Sequence, residues 1–136
     1  RGEEGPARVD ALEKWLDGKD IFAHFDLHQA PTKSHFFAIR MSNDNSGVAE
    51  GAIEALPPGE RMQLTTYEPY MSRPSKYTQI VPGVVSSDNP NTFKEFTAKR
   101  GAISLTMEAP GRYPVELARQ NYLKFLMAAI DHLNSL

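Results

Sequence analysis

Ile21-Phe22-Ala23-His24-Phe25-Asp26-Leu27-His28 is apolar and aromatic almost throughout, as a buried strand reads. Gln29 to Ser34 contains Pro31 among polar residues and reads as a loop. His35-Phe36-Phe37-Ala38-Ile39-Arg40-Met41 is a second apolar run, and so a second buried strand. Towards the amino end, Val9, Leu12, Trp15 and Leu16 recur at three- and four-residue spacing. That spacing predicts an amphipathic helix over Val9 to Asp17, with Asp10 near its start and Gly18 to stop it. Towards the carboxyl end, Ser42 to Gly47 is a turn cluster, and Val48 to Leu56 reads as a short helix before Pro57-Pro58-Gly59.

Glu60 to Val85 holds Pro69, Pro74 and Pro82 and predicts short strands at most, or a long excursion. Excursions of that length inside a compact domain tend to be functional. Thr92 to Arg100 reads as a helix with Phe93 and Phe96 on one side, closed by Gly101. Ala102 to Met107 reads as a strand that ends at Glu108-Ala109-Pro110-Gly111. Pro114 then opens a long helix, with Val115, Ala118, Tyr122, Phe125, Leu126, Ala129, Ile130 and Leu133 along one face. Short apolar strands interleaved with helices predict an α/β domain: a mainly parallel or mixed sheet flanked by helices, one domain over 1–136.

The whole chain bounds what this domain does. Its 136 residues suit one core. A net charge of −2 and the lack of a basic stripe argue against a nucleic-acid partner. With 40% hydrophobic and 24% charged residues, the composition is that of a soluble globular domain, and no apolar stretch is long enough to span a bilayer. The amino end, Arg-Gly-Glu-Glu-Gly-Pro, carries acids where a signal peptide would be apolar; the compartment stays open, with the cytoplasm slightly favoured over secretion. Zero cysteines exclude a disulfide framework, a zinc ribbon and a cysteine nucleophile. The chain starts at Arg1 without Met, and the expectation is a piece of a longer protein.

In sheets of this kind the ligand site lies beyond the carboxyl ends of the strands, and His28 and Glu108 stand at two such ends. Asp26 and His28, two apart on a strand, share a face. A carboxylate there can orient the imidazole and set which ring nitrogen is free. Glu108, at a strand end among apolar neighbours, is placed to have a raised pKa and to act as general acid or base. His24 reads as a core or partner-facing residue, His35 as a residue at the same mouth or on the surface, and His132 as a cation suited to a helix carboxyl end.

Phe25-Asp26-Leu27-His28, a short loop, and His35-Phe36-Phe37-Ala38-Ile39 together resemble the region of the third zinc ligand in the zinc carboxypeptidase superfamily. That superfamily takes in the carboxypeptidases proper and the succinylglutamate desuccinylase and aspartoacylase branch. Thr92-Phe93-Lys94-Glu95-Phe96 and Gly101-Ala102-Ile103-Ser104-Leu105-Thr106-Met107-Glu108 resemble the later segment, where a strand ends on the catalytic glutamate. The closing helix from Pro114 fits as well, so the likeness runs from about Glu13 to the end.

The resemblance implies zinc as cofactor, with His28 a ligand, Asp26 its neighbour in support and Glu108 the general base. It implies hydrolysis of an amide bond, in a peptide carboxyl end or an N-acyl amino acid. Lys33, Arg40 and Arg112 are the cations that could meet a substrate carboxylate, and Tyr77 stands in for the family's substrate-covering tyrosine. The family's other two ligands form a His-x-x-Glu motif upstream of the third. This sequence has no such motif, so the expectation is a fold incomplete at its amino end and inactive by itself. Its sheet edge would be exposed, inviting self-association or a partner chain. The competing expectation is a non-catalytic α/β binding domain that has lost the metal site.

Overall fold

The computed structural model describes residues 4–30, 33–63, 78–87 and 92–136. Its elements, in order, are α1 (Glu4–Leu16), β1 (Ala23–Ala30), β2 (Phe37–Arg40), α2 (Val48–Glu54), β3 (Thr78–Val81), β4 (Val84–Ser86), α3 (Phe93–Ala98), β5 (Ile103–Pro110) and α4 (Val115–Asn134), with a single 3-10 turn at Pro58–Glu60. The five strands form one sheet in the order β1-β5-β2-β4-β3. β1 runs parallel to β5 and β2 parallel to β4, while β2 against β5 and β3 against β4 are antiparallel. The protein is thus an α/β domain on a mixed sheet, the two parallel pairs pointing in opposite directions.

Strand alternation gives the sheet two unlike faces. Leu105, Met107, Ala109, Ala38 and Val84 face α2 and α4, and pack with Val48, Ala49, Ala52, Ile53, Leu56, Phe125 and Ala129 in the main core. The helices meet closely because Gly51 of α2 has no Cβ: one built there would lie 1.9 Å from His132 Nε2 on α4. On the other face, Phe37, Ile39, Val85, Ala30 and Met62 make a smaller apolar cluster. The β1 and β5 residues of that face are His24, Asp26, His28, Ser104, Thr106 and Glu108, and α3 covers part of this polar stripe. There Thr97 Oγ1 lies 2.6 Å from Ser104 Oγ and 3.3 Å from His24 Nδ1, with Phe93 edge-on to the His24 ring.

Several boundaries differ from the sequence reading. β5 continues through Glu108, Ala109 and Pro110, because its pairing with β1 persists to Ala30↔Pro110. Gln29 and Ala30 are therefore strand, and the loop begins later than their polarity suggests. Val81-Pro82-Gly83-Val84 turns a β3–β4 hairpin out of the proline-rich middle, with Gly83 at φ 81°, a conformation glycine adopts without penalty. Thr92 caps α3 by accepting a hydrogen bond from the Glu95 N–H at 3.1 Å. On the apolar stripe of α1, Trp15 is 64% exposed and Leu12 nearly half exposed. On α4, Val115 and Ile130 of the expected inner face lie outside it, and Asn121 is buried instead, donating to Glu60 Oε2.

Candidate functional site

The pairing of β1 with β5 places His28 opposite Glu108 and Asp26 opposite Thr106. His28 therefore stands beside two carboxylates, one along its own strand and one across the ladder. Its Nε2 is 2.9 Å from Asp26 Oδ2, and its Nδ1 is 3.7 Å from Glu108 Oε1. Nε2 thus faces Asp26 and Nδ1 faces Glu108. The imidazole is open to solvent, its side chain 54% exposed, whereas the Glu108 side chain is only 10% exposed. An accessible ring beside a sheltered acid is the arrangement expected of a site that handles protons.

Burial decides the state of Glu108. Phe37 is its neighbour on β2, and desolvation pushes its pKa above the ordinary 4.5. His28 pulls in the opposite direction, Asp26 adds to the rise, and Lys94 and Lys33 oppose it more weakly. Lys33, just beyond β1, has its own pKa lowered by burial and partly restored by Glu108. His24, two positions before Asp26, is held below the ordinary imidazole value of 6.5 by burial, against the pull of Asp26. The stripe is thus graded, from a half-buried histidine under α3 to an exposed one at the strand end.

The structure brings together Asp26, His28 and Glu108, with Lys33 close enough to act on Glu108. It does not bring Arg40 there. Because β2 is antiparallel to β5, Arg40 pairs with Leu105, three rungs from Glu108, and its Nε lies 3.3 Å from Glu50 Oε1 on α2. Arg112 is exposed in the turn after β5, and Tyr77 lies outside the described residues. His35 is bonded to Ser34 Oγ at 2.7 Å.

Two residues near the site escape sequence reasoning. Lys94, a helix lysine that composition would assign to solvent, is buried on α3. Tyr122 reads as one more apolar residue on the inner face of α4, yet its hydroxyl donates to the His28 carbonyl. The signal for the latter is a phenol where a plain aromatic ring would serve the core equally well.

Zinc can be tested against this donor set. His28 could supply one imidazole nitrogen, its two ring nitrogens facing Asp26 and Glu108. Among the described residues, no group of three or more His, Asp or Glu side chains is placed to hold a metal ion. No protein-family model matches the chain, and no curated protein or solved structure matches it either. Among the described residues no helix is long and apolar enough to cross a membrane.

Proposed function

We propose that the β1/β5 strand ends form one wall of a zinc-dependent amide hydrolase site, acting on a peptide carboxyl end or an N-acyl amino acid. The supporting observation is the single imidazole set between two carboxylates, one exposed and one buried. In this reading His28 contributes one ligand nitrogen and Asp26 orients its ring. Glu108 is the general base, and burial brings its affinity for a proton closer to what neutral-pH catalysis needs. Zinc, when bound, would lower the pKa of its water and polarise the scissile carbonyl. The remaining ligands belong to a His-x-x-Glu pair outside this sequence, so the zinc carboxypeptidase likeness applies to a longer protein whose carboxyl-terminal part this chain would be. Lys33, near Glu108, is the cation best placed to meet a substrate carboxylate.

The test is zinc content and turnover of N-acyl amino acids and carboxyl-terminal peptides by the protein that carries both segments. Glu108→Gln is expected to lower kcat by about 10²- to 10⁴-fold while zinc content holds, and His28→Ala to release the metal. Turnover unchanged in Glu108→Gln would remove the assignment. The competing reading is a non-catalytic α/β binding domain that has lost the metal site. A zinc-free whole protein that binds its ligand equally well with Gln at 108 would establish that alternative. The 136-residue chain by itself is expected to be inactive and to hold zinc weakly.

A further inference from the structure

The phenol of Tyr122 approaches the sheet from the face opposite the candidate site. Tyr122 packs against the core cluster that contains Met107 and Ala109, and alternation along β5 puts Glu108 on the other side. Its hydroxyl donates to the carbonyl of His28. Ala109 follows Glu108 on β5, and His28 and Glu108 are register partners. One hydroxyl therefore holds the stretch of backbone that carries the imidazole, on the rung it shares with the buried acid.

We propose that Tyr122 is a positioning residue for the His28–Glu108 pair, clamping from beneath the rung on which both side chains stand. Among the described residues β1 is an edge strand with β5 on one side only, so its carboxyl end has half the ladder support of a central strand. Two further bonds hold that end: Gln29 Nε2 to the Gly111 carbonyl at 3.1 Å, and the Gly111 N–H to the Ala30 carbonyl at 2.9 Å. Both lie beyond His28, whereas the phenol acts on His28 itself. The Asp26–His28 contact depends on strand geometry between two alternate positions, and a strand end that opens would lose it. The fixed environment of Tyr122 is consistent with a raised pKa, caused first by burial and then by the nearby Glu108 carboxylate. The catalytic consequence of the clamp rests on the hydrolase reading; the clamp itself does not.

The test uses the 136-residue chain with Tyr122→Phe, observed through the ring-nitrogen resonances of His28 at about pH 8, above the ordinary histidine range. The folded amide pattern should persist while the two ring signals move towards each other, as in an unconstrained imidazole exchanging tautomers. 4-Aminophenylalanine at 122 restores a donor and should move them back. 4-Fluorophenylalanine keeps the bulk without the donor and serves the same purpose if phenylalanine fails to fold. Ring signals unmoved in a folded, donor-free variant would overturn the proposal. In the whole protein, the same substitution should lower kcat about tenfold to a hundredfold at constant KM. Moved ring signals alongside a wild type without turnover would remove the hydrolase reading and leave the clamp in place.

Discussion

Two charged clusters sit at the carboxyl ends of the two parallel pairs, and they are built on opposite principles. At the end of β2 and β4, Arg40 is the central cation, its side chain 11% exposed and that of its partner Glu50 30% exposed. Its guanidinium also donates to the carbonyls of Met41, at 3.2 Å, and Asp44. At the end of β1 and β5 the central group is an imidazole, more than half exposed, between Asp26 and Glu108. A guanidinium keeps its charge at every relevant pH and locks into a fork of acceptors. An imidazole changes charge near neutrality and offers either nitrogen as donor, acceptor or ligand. The same topological place thus carries a fixed brace in one half of the sheet and a group that can exchange protons in the other.

The largest expected effect comes from removing the brace. Arg40→Met takes the guanidinium from Glu50, whose Oε2 is shut off from solvent and without a hydrogen-bond partner among the described residues. The expected loss is about 3 kcal/mol of stability in urea unfolding. A loss below about 1 kcal/mol would make the cluster an ordinary surface pair and dissolve the contrast.

A smaller effect separates the acids by pH. Burial raises the folded pKa of Glu108 above its ordinary 4.5, so the native state holds this proton more tightly than the unfolded chain does. The resulting contribution to stability is fully present below the ordinary value and is lost as pH rises through the raised one. Glu108→Gln removes that dependence, so the variant should gain on the wild type between about pH 4 and pH 7. Urea midpoints at the two pH values check this, and a constant gap would mean that Glu108 is not desolvated as described.

The smallest effect is expected at the imidazole. His28→Gln, at a largely exposed side chain, should change stability by no more than about 0.5 kcal/mol. A cost approaching that of Arg40→Met would make His28 a brace as well, and would count against a site in which the ring is kept for chemistry.

The sequence by itself determined the elements and one half of the site. Apolar runs bounded by Pro and Gly mark β1, β2 and β5, and Pro114 with a 3.6-residue stripe marks α4. The side-by-side placement of Asp26 and His28 follows from strand alternation, which needs no partner strand. The middle of the chain was less legible, since its prolines obscure a hairpin that exists only by pairing with β2. Tertiary structure alone decided that β2 runs against β5, which carries Arg40 away from Glu108. It also decided that Glu108 shares a rung with His28, and that Lys94 and Tyr122 close on that rung from opposite faces. The physical reason is range. Propensity and periodicity are written over a few neighbouring residues, whereas strand register and desolvation are set by segments some eighty residues apart in the chain.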